Sequence, residues 1–116
     1  MKKFTLITMF LLIIPGIVYA HVRIIEMKPG KEAVLTESPK KVTLQVSKSI
    51  ETTFSKIEVF NQKEEKVSKD TVFSKNDTVM EVKLLDDVKS GEYTVKWICM
   101  SLNGHKQNGS YKFTIK

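Results

Sequence analysis

The sequence predicts an all-β fold: a small Greek-key β-barrel or sandwich of immunoglobulin-like type, with about seven strands, after a cleaved signal peptide. Three observations carry this expectation. Apolar residues recur at every second position in short runs, the period of a half-buried strand. Turn residues separate those runs at regular spacing, as in sandwiches and small barrels. No stretch after residue 20 has a helical period.

The elements follow in order. Val22–Met27 is extended and stops at the turn pair Pro29-Gly30. Residues 41–47 alternate strictly, with Val42, Leu44 and Val46 on one face. Lys56–Phe60 is closed by Asn61-Gln62-Lys63, and Lys63–Lys69 reads as an exposed hairpin tip. Thr71–Ser74 is a short strand before Asn76-Asp77, and Val79–Leu85 alternates again. Glu92–Met100 places Tyr93, Val95 and Trp97 on one side, which makes Trp97 the expected centre of the core. Gly109–Ile115 closes the fold with Tyr111, Phe113 and Ile115.

Residues 1–20 read as a secretory signal. Lys2 and Lys3 precede the apolar stretch Phe4–Val18, and Val18-Tyr19-Ala20 supplies small residues at the −3 and −1 positions of a cleavage site. The stretch is short for a membrane span, and no second one follows. The expected domains are therefore a signal peptide, 1–20, and one β-domain, 21–116, not embedded in the membrane after cleavage. The mature part has 96 residues, enough for one core without obligatory disulfides. No cysteine sits immediately after the expected cleavage site, so a lipid anchor is not expected.

Cleavage lowers the formal charge from +6 to +4, because two lysines leave with the signal. Basic residues are interspersed with acids, and no basic arm or aromatic-interleaved patch points to nucleic acid. Cys99 is the only cysteine, so no internal disulfide can form. Its apolar setting, Trp97-Ile98-Cys99-Met100, favours a buried and inert thiol.

Cleavage would also make His21 the N-terminal residue. One residue then offers two metal donors, the free amino group and the ring Nδ1. The other histidine, His105, lies in Ser101-Leu102-Asn103-Gly104-His105, a connection between the last two strands. If that loop meets the N-terminus, three nitrogens converge, a set suited to tetragonal copper(II). A soft copper(I) site is not supported, because Met27, Met80 and Met100 are scattered.

These residues resemble the CopC-like copper resistance proteins over essentially the whole mature chain. The similarity runs from His21 through Met27-Lys28-Pro29-Gly30 and Ser38–Leu44. Its most specific part is Gly91-Glu92-Tyr93-Thr94-Val95-Lys96-Trp97, then Ser101–His105, then Gly109-Ser110-Tyr111-Lys112-Phe113. The resemblance implies a periplasmic β-barrel that binds copper(II) through a mature N-terminal histidine and serves copper homeostasis or resistance. It further implies an inner-membrane copper-transport protein as partner.

Two positions depart from the family pattern. Asn103 stands where the loop motif usually has Asp, and a gapless count from Pro39 places Lys48 where many relatives have an acid. One unit charge at ~4 Å is worth about 4 kcal/mol at an effective dielectric of ~20. Losing that attraction costs up to ~100- to 1000-fold in affinity. Glu26 and Glu51 are the candidate replacement carboxylates.

Three functional classes follow. The first is a non-catalytic copper(II) carrier, buffer or delivery protein using His21 and His105. The second is a sandwich module without metal, or with weak metal binding, that acts through a protein partner. The third is a histidine-brace copper oxidase, disfavoured because the chain lacks aromatic-rich loops for an extended substrate. Ser101 likewise has no acid partner for a hydrolytic triad.

Overall fold

The alternation in residues 41–46 forms the inner face of a strand: Val42, Leu44 and Val46 are buried, and the residues between them are not. The same pattern repeats in both layers of the computed structural model, which describes residues 21–116. The signal peptide expected over residues 1–20 lies outside the described residues. No helix among the described residues is long and apolar enough to cross a membrane.

Eight strands form a β-sandwich: β1 (Ile24–Lys28), β2 (Val34–Leu35), β3 (Lys41–Val46), β4 (Lys56–Phe60), β5 (Val72–Ser74), β6 (Val79–Lys83), β7 (Gly91–Met100) and β8 (Lys106–Ile115). One sheet has the order β1-β3-β6-β5, the other β2-β8-β7-β4. The strand beyond the expected seven is β2, whose two residues pair in parallel with Thr114 and Ile115 of β8. Two residues are too few to show a period.

The last strand begins at Lys106, three residues before the expected Gly109. The β7–β8 ladder runs without a break from Gly91↔Ile115 to Met100↔Lys106. Backbone pairing carries the polar stretch Lys106-Gln107-Asn108, which hydrophobic alternation cannot reveal. His105 is therefore the residue immediately before a strand, not one in the middle of a longer loop.

The core lies between the sheets and includes Val22, Leu44, Ile50, Ile57, Met80, Val95, Cys99 and Phe113. Trp97 is not its centre. The ring is only half-buried and packs against the cluster, over Gly109 on β8. Tyr93 and Phe113 stack inside instead, with ring centroids 5.5 Å apart.

The expected exposed tip is present over residues 63–66, but residues 67–69 do not remain part of it. Asn61 Oδ1 accepts the N–H groups of Lys63 and Glu65 and shapes the turn. The chain then returns along the free edge of β4. There the Ser68 hydroxyl accepts the Val59 N–H at 3.0 Å and the Thr71 hydroxyl accepts the Ile57 N–H at 3.0 Å. Side-chain oxygens thus occupy donors that would otherwise invite another strand.

Candidate metal centre

Residues 21–23 precede the first ladder, and Val22 and Arg23 are held by contacts from both sheets. Gln107 on β8 grips Val22 twice: its Oε1 accepts the Val22 N–H at 3.0 Å, and its Nε2 donates to the Val22 carbonyl at 2.9 Å. On the other sheet, the Arg23 N–H donates to the Ser47 hydroxyl at 2.9 Å, and the Ser47 N–H donates to the Arg23 carbonyl at 2.9 Å. The Val22 side chain is buried, which anchors the segment further. These contacts bring the chain at His21 to the start of β8, which His105 immediately precedes. Both histidines are exposed.

The loop carrying His105 is organised by Ser101. This residue is buried, and its hydroxyl donates to Asn103 Oδ1 while accepting the His105 N–H at 3.1 Å. Backbone bonds close the turn: the Ser101 N–H donates to the His105 carbonyl at 2.9 Å, and the Gly104 N–H to the Ser101 carbonyl at 2.9 Å. Gly104 has a φ of +89°, a region L-residues rarely adopt. The hydroxyl of Ser101 is therefore committed to the loop. Asn103 is exposed, with its carbonyl oxygen turned toward Ser101.

The acids anticipated as substitutes do not join the histidines. Among the described residues, no group of three or more His, Cys, Asp or Glu side chains converges. Glu26 is on β1 opposite Gln45, 3.8 Å from the Lys28 ammonium. Glu51 starts a short 3-10 turn, and its N–H donates to the Met100 carbonyl. Lys48 follows Ser47, at the end of the molecule where Ser47 grips Arg23, and is exposed. An exposed ammonium can turn to solvent, which weakens its repulsion of a cation.

Cys99 is buried on β7 opposite Gln107, and burial pushes its thiol pKa up. A protonated thiol is a poor metal ligand and nucleophile. Met80 is wholly buried in the core. The available chemistry at this end is thus imidazole, with amide oxygen nearby. Sequence reasoning found both histidines and the Ser101–His105 loop but missed Gln107, which has no signal of its own within a polar tripeptide.

A family model for the CopC domain matches residues 24–116. Protein YobA of Escherichia coli K12 is 34% identical over 102 residues, covering 85% of this chain and 82% of YobA. The copper transport protein CutJ of Bacillus subtilis is 29% identical over 112 residues, 95% of this chain but only 21% of CutJ. Among solved structures, CopC from Methylosinus trichosporium OB3b aligns with a TM-score of 0.75 at 23% identity, covering 83% of this chain and 94% of that one. PcoC, a methionine-rich copper resistance protein from Escherichia coli, aligns at 0.71 and 23%, covering 84% and 100%. These structural likenesses establish the shared β-sandwich.

Proposed function

The chain belongs to the CopC family, and from that premise we propose that it is an exported, periplasmic copper(II)-binding protein acting in copper homeostasis or resistance. Signal cleavage after Ala20 frees the His21 amino group. That nitrogen, the His21 ring and the His105 ring hold the ion, and water or the Asn103 side chain completes a tetragonal site. The observation that carries this reading is the double hydrogen bond from Gln107 to Val22, which ties the future N-terminus to the strand that follows His105. Further support comes from relatives and neighbours whose names refer to copper transport and copper resistance.

The protein acts as a carrier, buffer or delivery module, not as an enzyme. A membrane copper-transport protein is the proposed recipient, in keeping with the match to one stretch of CutJ. The replacement of an acid by Asn103 favours a second reading, a sandwich that binds metal weakly or not at all and works through a protein partner.

Copper(II) titration of protein beginning at His21, with EPR, decides between the two. One-to-one binding with a nitrogen-rich tetragonal spectrum is expected. One extra residue before His21, His21→Ala, or His105→Ala should each abolish it. Unchanged binding in all three would overturn the proposed ligand set, and no copper-induced rise in thermal stability would favour the metal-free module.

A further inference from the structure

We infer that Gln107 is a positioning residue for the metal centre, fixing the peptide that follows His21 so that the N-terminal donors are held beside His105 before any ion arrives. The inference rests on the copper(II) reading above and adds a residue to it that binds no metal itself.

The geometry is specific to an amide. Val22 presents a donor and an acceptor to β8, and Gln107 answers with one acceptor and one donor, at 3.0 and 2.9 Å. A carboxylate could accept from the Val22 N–H but could not donate to its carbonyl, and an aliphatic side chain could do neither. Because Val22 is buried, its peptide groups need these partners. The two residues are 85 positions apart, so this contact is tertiary, and it holds a residue that precedes β1 and its ladder.

Ser47 pins the next residue to the opposite sheet. Residues 22 and 23 therefore bridge the two layers, one clamped to β8 and the other to the end of β3. Such a bridge leaves His21 little freedom beyond its own rotations. A ligand residue that is already placed loses less entropy on binding, which favours affinity and slow release.

The test uses processed protein starting at His21, with Gln107→Met and Gln107→Asn. Methionine keeps the length of the side chain without hydrogen bonds, and asparagine keeps the amide but shortens the arm by one methylene. In copper-free protein, NMR hydrogen exchange should show the Val22 N–H protected, and both variants should expose it while Val95 in β7 stays protected. Copper(II) affinity should fall about 10- to 100-fold in the variants, with faster release and an EPR spectrum split into more than one species. Protection of Val22 that survives both substitutions overturns the clamp. Unchanged affinity and spectrum after protection is lost overturn the positioning role. Should Gln107→Met fail to fold, Gln107→Asn decides alone. Failure of the unsubstituted protein to bind copper(II) overturns the metal reading itself, and this inference with it.

Discussion

The ring of Trp97 occupies the space that a side chain on Gly109 would need. A Cβ on Gly109 would stand 2.6 Å from Trp97 Cζ2 and 2.9 Å from Cε2. The two residues face each other across the β7–β8 ladder, so the partly buried indole closes over bare backbone. Gly109→Ala should therefore destabilise the protein by about 1–3 kcal/mol through overpacking, measured by urea unfolding. Trp97 is the only tryptophan, so its fluorescence reports the displacement directly. A red-shifted emission is expected, and wild-type stability with unchanged emission would show that the ring yields freely.

That contact also marks where sequence reading stopped. Alternation found β3, β4 and β6 because each has one apolar buried face and one less covered face, and Lys56–Phe60 coincides with β4. It placed Trp97 at the centre from its side of β7, since period gives the face a residue takes but not how completely its ring is covered. It started β8 late because residues 106–108 are polar, and it missed β2 because two residues have no period. At the candidate site, histidines have a chemical signature that sequence exposes. Gln107 and Ser101 act through hydrogen bonds to distant or turned backbone, and such partners emerge only with the tertiary fold.

Ser101 connects the core to the His105 loop, and Ser101→Ala removes both of its hydroxyl contacts. The His105 N–H then loses its partner at 3.1 Å, and Asn103 loses its donor. A cost of about 0.5–1.5 kcal/mol is expected from losing these bonds, since water can reach both exposed partners, and chemical denaturation reads it. The substitution should also weaken copper(II) binding roughly tenfold, because the loop that presents His105 loosens. Full affinity in a destabilised variant would separate the fold role of Ser101 from any role at the site.

Charge at the site is a separate variable from geometry. Asn103→Asp keeps the acceptor for Ser101, and an ionised acceptor strengthens that bond. It also places a negative charge in the loop that carries His105. Copper(II) affinity should rise about ten- to a hundredfold at low ionic strength. Lys48→Glu should add a smaller gain, since that side chain is exposed and screened. Competition titrations at several salt concentrations test both, and the gain should shrink as salt increases. An Asn103→Asp affinity equal to wild type at every salt concentration would place residue 103 outside the electrostatic reach of the ion.

Alkaline pH should destabilise this protein through two buried groups. Burial raises the Cys99 thiol above its ordinary value of 9.0 and the Tyr111 phenol above 10.0. The phenol also donates to the Pro29 carbonyl at 2.9 Å, a bond available only while it is protonated. In the unfolded chain both groups ionise near their ordinary values, so the unfolded state releases protons first. Stability is therefore complete below about pH 9 and falls as pH rises past it, with a second loss beginning near pH 10. Each group contributes a slope of up to about 1.4 kcal/mol per pH unit until its folded form ionises. Urea midpoints from about pH 8 to about pH 11 should show both slopes. Cys99→Ala should remove the first. Tyr111→Phe should remove the second while lowering stability at neutral pH by about 1 kcal/mol for the lost Pro29 bond. In the same range Cys99 should react with a thiol reagent only as fast as the protein opens, because the thiol is buried. Stability that stays level to about pH 11, or a thiol that reacts at the rate of a free one, would mean that these groups are not sequestered in solution.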